Sequence, residues 1–131
     1  MSDSTFVERL HVLLDSVDPE VLAVYLYGSR ARGTARPDSD VDLALLLRRP
    51  PAPTLGGVSR NLEPLLEREL RLRVEAIILN AAPPDLAHRV LRDGIVVLDR
   101  DRPARLRFEV QSRNEYFDLE PVRRLYRRLP A

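Results

Sequence analysis

Two seven-residue apolar runs, Val21–Tyr27 and Val41–Leu47, stand on either side of a polar stretch that carries Gly28, Ser29, Arg30, Arg32, Arg36, Pro37, Ser39 and Asp40. Each run is too short for a core helix, and each reads as a strand buried on both faces. The fold that results is constrained from the middle outward. A central sheet must form around these two strands, and the polar stretch must be the connection at one of its ends.

That connection carries chemistry. Gly28 ends the first run and lets the chain turn tightly, and with no Cβ there a phosphate can approach the backbone. Ser29 adds a hydroxyl to the amides of the turn, and the three arginines add positive charge. After ten intervening residues, 30–39, come Asp40, Val41 and Asp42. Side chains alternate along a strand, so Asp40 and Asp42 share a face, with Cα atoms roughly 7 Å apart. Two like charges at the start of an apolar strand cost stability unless a cation or a basic partner compensates. A phosphate-sized turn beside paired carboxylates reads as a metal–nucleotide site, and magnesium suits it better than zinc.

The rest of the chain has an α/β (α+β) order. Residues 5–17 read as a helix, with Thr5 and Glu8 placed for a capping box and Phe6, Leu10, Leu13, Leu14 and Val17 on one side. Arg48, Arg49, Pro50, Pro51, Ala52 and Pro53 stop the second strand and begin a surface connection. Residues 61–71 read as a helix with Pro64 in its first turn, and residues 74–79 as a third strand. A short helix over 83–92, closed by Gly94, leads to a fourth strand over 95–98. Residues 103–129 read as helical with a bend near Pro121. The expectation is a mixed sheet of about four strands flanked by helices, with a C-terminal helical tail.

Glu75 lies inside the apolar third strand, where an uncompensated acid would be costly. It either serves the site, pairs with Arg73 or lies at a solvated strand edge. His11 and His88 lack metal-ligand spacing and read as ordinary histidines, and Tyr25 and Tyr27 as core or rim packing.

At 131 residues the chain suits one domain with a modest core. All 21 basic residues are arginine and there is no cysteine, which excludes disulfides and zinc–thiolate sites. Residues 100–131 hold nine arginines against five acids, while residues 1–99 hold twelve against fifteen, so the tail carries +4 and the body −3. In that tail Leu106, Val110, Phe117, Val122 and Leu125 could form an apolar stripe ahead of Arg123, Arg124, Arg127 and Arg128. Either the tail packs on the domain, its arginines favouring a helix C-terminus, or it docks a partner. The N-terminus has no basic n-region and no apolar run approaches a membrane span, so a cytoplasmic protein is expected.

Residues 28–43, from Gly28, Ser29 and Arg30 through Arg32 and Gly33 to Ser39, Asp40, Val41, Asp42 and Leu43, resemble the signature of the minimal nucleotidyltransferases, the single-domain branch of the polymerase-β-like superfamily. The resemblance continues weakly through residues 74–80 and 83–91, and beyond Asp101 rests on Tyr116, Phe117 and Asp118. It implies a nucleotidyltransferase palm over 1–100, which leaves 101–131 as the helical extension whose two readings, packing on the domain or docking a partner, stay open. By resemblance, Asp40, Asp42 and Glu75 hold Mg²⁺ and form the catalytic set, Glu75 standing where the family more often has Asp. Gly28, Ser29, Arg30, Arg32 and Ser39 bind the nucleotide, and one of the two arginines grips its phosphates while the other is solvated.

Members of this branch are similar to the antitoxin half of HEPN–MNT toxin–antitoxin pairs, in which the antitoxin attaches AMP to a tyrosine of a HEPN ribonuclease. The resemblance therefore implies an ATP-using protein adenylyltransferase whose acceptor is supplied by a partner. Two other readings stand beside it. One is an antitoxin that neutralises by binding alone; the other is an enzyme that modifies a small molecule of the aminoglycoside type.

Overall fold

A computed structural model describes residues 3–50 and 57–129 of the chain. The first helix, α1, is Asp3–Leu14, followed by strand β1 at Val21–Tyr27, a single turn of helix α2 at Ser29–Arg32, and β2 at Val41–Leu47. Helix α3 is Gly57–Leu70, β3 is Val74–Ile78, α4 is Pro84–Asp93 and β4 is Ile95–Asp99. Two C-terminal helices close the chain, α5 at Arg102–Asp118 and α6 at Glu120–Arg128.

The four strands form one mixed sheet in the order β3-β2-β1-β4. β1 is antiparallel to both β2 and β4, and β2 is parallel to β3. The two apolar runs are thus the central strands, and burial on both faces follows from that position. Leu10, Leu14, Leu62, Leu66 and Leu70 from α1 and α3 cover one face, over Val41, Leu43 and Leu45. Ala87 and Val90 of α4, with Ala104 and Phe108 of α5, cover the other, over Tyr25, Ala44 and Leu46. In β2 every residue is buried except Asp42, which is half-buried.

Local chemistry sets the ends of the strands. Asn80 closes β2 with its side-chain amide, which accepts from Leu47 N–H at 2.8 Å and donates to Leu47 C=O at 3.1 Å, in place of a further strand pair. On the outer edge of β3, the Ala76 N–H donates to Glu63 Oε2 of α3 at 3.4 Å. Gly94 lets α4 run directly into β4, because a Cβ there would strike the carbonyl oxygen of Val90 and lie 3.2 Å from that of Leu26. Arg100, just past β4, donates to the carbonyls of Asp15, Val17, Asp18 and Val21 at 2.8–3.1 Å and ties down the α1–β1 turn.

Several boundaries differ from the sequence-based expectation. α1 already includes Asp3, so Thr5 lies inside the helix rather than at its N-cap. The helix ends at Leu14, and Val17 follows a turn in which its N–H reaches Leu14 C=O, though it still packs on the core. α3 begins at Gly57, which puts Pro64 in the helix interior rather than its first turn. Proline removes the partner of the Arg60 carbonyl, but both residues are exposed and water can take its place. Pro51, Ala52 and Pro53 lie outside the described residues. The expected bend near Pro121 is the break between α5 and α6 at Leu119, with Pro121 in the first turn of α6, where its missing N–H costs nothing. No helix among the described residues is long and apolar enough to cross a membrane.

α5 packs its Ala104 and Phe108 side on the sheet, buries Ser112, and stacks Tyr116 on His88 of α4 with ring centroids 3.6 Å apart. Its opposite side and α6 leave Leu106, Val110, Phe117, Val122 and Leu125 between 40% and 62% exposed. The apolar stripe is real, but it does not face the domain.

Candidate active site

The site is assembled across three adjacent strands. Tyr27 of β1 pairs with Asp42 of β2, and Asp42 pairs with Glu75 of β3. Residues directly opposite in a ladder project to the same face, so the phenol and two carboxylates form one row across the sheet. Asp40 precedes β2 and is exposed, as is Glu75 on the outermost strand.

Gly28 stands at the head of this row with φ +73°, in the left-handed region that disfavours side chains. A Cβ there would also collide with Asp42 Oδ2, so the glycine serves both the turn and the seat of the carboxylate. Ser29 opens α2 beside it.

The electrostatics follow from this crowding. Burial raises the pKa of Asp42 first, the neighbouring charges of Glu75 and Asp40 raise it further, and Arg32 opposes them. Tyr27 is pushed up to about 12 by burial and then by Asp42 and Glu75, with Arg89 of α4 acting against the shift. The phenol is therefore a neutral hydrogen-bond donor at physiological pH. Tyr25, two residues earlier, plays no part in the row: its hydroxyl donates to Glu109 of α5 at 2.8 Å, in a cluster that Arg105 completes.

Among the described residues no three His, Cys, Asp or Glu side chains converge closely enough to hold a metal by themselves. What the site offers instead is hard oxygen donors under mutual repulsion. That chemistry fits a divalent cation such as Mg²⁺, which keeps waters and takes further oxygens from a substrate phosphate. Asp40, Asp42 and Glu75 fit such an ion as a partial shell, not as a closed cage.

The nucleotide-binding candidates separate into two groups. Arg30 Nε and Nη2 donate to Ser39 C=O at 3.1 and 2.7 Å, Nη2 also reaches Pro37 C=O at 3.1 Å, and the guanidinium lies 4.6 Å from the Phe6 ring centroid. Ser39 Oγ accepts from Arg36 N–H at 2.8 Å. Arg30 and Ser39 thus hold the internal order of the loop. Arg32 is exposed, its guanidinium makes no hydrogen bond or ion pair among the described residues, and it acts on Asp42 through its charge.

Sequence reasoning missed Tyr27 and Arg89. Tyr27 was open to discovery, since strand alternation puts it two residues from buried Tyr25 and next to Gly28. Nothing local marks Arg89, because only the packing of α4 on the sheet brings its charge toward the row. His11 and His88 are structural: His11 Nδ1 lies 2.8 Å from Val97 C=O, and His88 stacks on Tyr116.

Comparison with known proteins places this arrangement. A crystal structure of a toxin–antitoxin with AMP-PNP aligns with 96% of this chain and 95% of its own, at 23% identity and a TM-score of 0.74. A tri-AMPylated Shewanella oneidensis HEPN toxin in complex with MNT antitoxin aligns with 95% of each chain, at 21% identity and a TM-score of 0.72. At these identities the likeness establishes the fold. A structure of a minimal nucleotidyltransferase aligns with 72% of this chain and 95% of its own, at 31% identity and a TM-score of 0.58. No curated protein matches the chain. The family model described as "Polymerase beta, Nucleotidyltransferase" matches residues 9–103, the span that holds every carboxylate of the row and the glycine beneath it. The chain belongs to the polymerase-beta nucleotidyltransferase family.

Proposed function

We propose that the chain is an antitoxin nucleotidyltransferase that moves AMP from ATP, with Mg²⁺, to a tyrosine of a cognate HEPN toxin. The observation that carries the transferase reading is the pairing of Asp42 with Glu75 beside Gly28, which concentrates negative charge that a bound cation would relieve. The toxin partner rests on two of the solved structures named above, which are toxin–antitoxin complexes whose matched chains this chain covers to 95%. It is also supported by the apolar outer side of α5 and α6, which suits the C-terminal extension, residues 101–131, to docking.

In this reading Asp40, Asp42 and Glu75 hold the ion, which when bound neutralises charge on the phosphate oxygens. Gly28 admits the phosphates to the backbone, Ser29 offers its hydroxyl, and Arg32, the arginine not spent on the loop, pairs with a phosphate oxygen. Tyr27 donates a hydrogen bond from a phenol that stays protonated. The acceptor tyrosine oxygen bonds to the α-phosphorus, the bond to the β-phosphate oxygen breaks, and pyrophosphate leaves. The phenolic proton of the acceptor passes to the Glu75 carboxylate where Glu75 acts as base rather than completing the ion's shell. Arg30 and Ser39 act at one remove, by holding the loop that delivers Asp40.

The test is incubation of the purified chain with its toxin, Mg²⁺ and ATP labelled at the α-phosphate. Label on a toxin tyrosine, lost in Asp40→Asn/Asp42→Asn with the circular dichroism spectrum intact, is the expected result. Toxin that is neutralised without label would replace the enzyme with a binding-only antitoxin. That second reading is favoured by one observation, the incomplete convergence of the three carboxylates.

A further inference from the structure

On the face of the sheet opposite the carboxylate row, a cavity of about 420 Å³ opens between α1, the end of α3 and the loop that follows α2. Its volume is within the range of small-molecule sites. Arg9, Arg30, Arg36 and Arg71 line it, and no carboxylate does. Phe6 and Leu70, both buried, give it an apolar floor.

The charge of these four arginines is uncompensated. Arg9 gives a hydrogen bond to the Glu69 carbonyl and Arg30 to the loop carbonyls, but none of the four makes an ion pair among the described residues. Some arginines elsewhere are paired with acids, such as Arg49 with Glu20, Arg92 with Asp93, and Arg105 with Asp99 and Glu109, but the cavity gathers four that are not. Four like charges around one concavity focus a positive potential into it.

Arg71 supplies an independent observation. It has φ +56°, the only non-glycine residue among those described with a positive φ, at the position that ends α3. Glycine or asparagine is the usual residue there, because a larger side chain is strained. The chain instead carries an arginine at this strained position, on the wall of the cavity.

We propose that this cavity binds a phosphorylated small molecule with an apolar body, of the class of a nucleoside monophosphate. Its phosphate meets Arg9, Arg36 and Arg71, and its base rests on the apolar floor beside the planar Arg30 guanidinium. The site is separate from the transferase reading and does not depend on it. Ala35, Arg36 and Pro37 in its wall belong to the loop that leads to Asp40, so a ligand here touches that loop from behind.

The test is calorimetric titration of full-length Asp40→Asn/Asp42→Asn protein with AMP in EDTA, which silences the metal-dependent site. AMP should bind with a Kd below about 1 mM, and both adenosine and inorganic phosphate at least tenfold more weakly. Arg71→Gly should weaken AMP at least tenfold while its melting temperature equals or exceeds that of the parent, since glycine relieves the left-handed backbone. Hydrogen exchange of residues 33–38 should slow when AMP is present. Absence of AMP binding, phosphate binding as tightly as AMP, or AMP affinity unchanged in Arg9→Gln/Arg71→Gly would overturn the proposal.

Discussion

Replacing Asp42 by asparagine should make the metal-free protein more stable. Asp42 faces Glu75 across one strand spacing, which puts the two carboxylates roughly 5–6 Å apart. At that separation the repulsion is about 0.7 kcal/mol in bulk water and about 3 kcal/mol at an effective dielectric constant of 20. Glu75 is exposed and Asp42 only half-buried, so solvent screening selects the lower end, about 1 kcal/mol, with Asp40 and the desolvation of Asp42 adding to it. For a chain of this size that is a rise of roughly 3–5 °C in melting temperature.

The pH dependence of this gain is distinctive. Because the native pKa of Asp42 is raised above its unfolded value, the folded wild type binds the proton more tightly than the unfolded chain does. Its stability therefore falls as pH rises from near the unfolded pKa through the raised native pKa, and is level above that. The asparagine variant has nothing to titrate at this position, so its advantage should be full at pH 7 and vanish below the ordinary range of an aspartate. Thermal denaturation of both proteins in EDTA across pH 3.5–8 measures the difference. Excess Mg²⁺ should reverse the order by stabilising only the wild type. An asparagine variant less stable than wild type at pH 7 in EDTA, or an advantage that does not shrink in acid, would refute the reasoning.

Three further outcomes are expected. Gly28→Ala should lose about 2 kcal/mol in thermal denaturation, from the left-handed backbone and the collision with Asp42 Oδ2, and should lower AMP transfer by at least two orders of magnitude. Arg30→Gln should leave the core intact but free the loop, so that amide exchange over residues 34–40 quickens about tenfold and kcat/KM for ATP falls. Arg100→Ala removes four carbonyl contacts at once, and should cost about 2 kcal/mol or more and lower the melting temperature by roughly 6–10 °C without changing kcat.

The two central strands were legible because each is buried on both faces, so periodicity, length and the glycine at the end of β1 all point one way. Helix ends were less so. α3 begins at Gly57 and packs Val58 and Leu62 on the core, and reading Pro64 as a first-turn proline moved the start inward by four residues, from 57 to 61. Asp40, Asp42 and Glu75 stood out along the chain as candidates, but the pairing of Asp42 with Glu75 is a property of the parallel crossover through α3. The division between Arg30 and Arg32 was not legible. Both follow the same glycine with the same chemistry, and it is the folded loop's carbonyls at Pro37 and Ser39, with Phe6 some twenty residues upstream, that draw one of them aside.

Glu63 shows how a reactive edge can be left uncovered without inviting polymerisation. β3 has a single strand neighbour, and a bare edge of this kind is a template for strand addition by another copy of the same chain. The Glu63 carboxylate occupies the outward amide of Ala76, one residue from Glu75, and places a negative charge where an incoming strand would need a carbonyl. An approaching backbone is refused there while an approaching side chain is not. The rim can then stay open to a large folded visitor and remain closed to self-association, and Glu63→Ala should reveal the difference as aggregation rather than as lost chemistry.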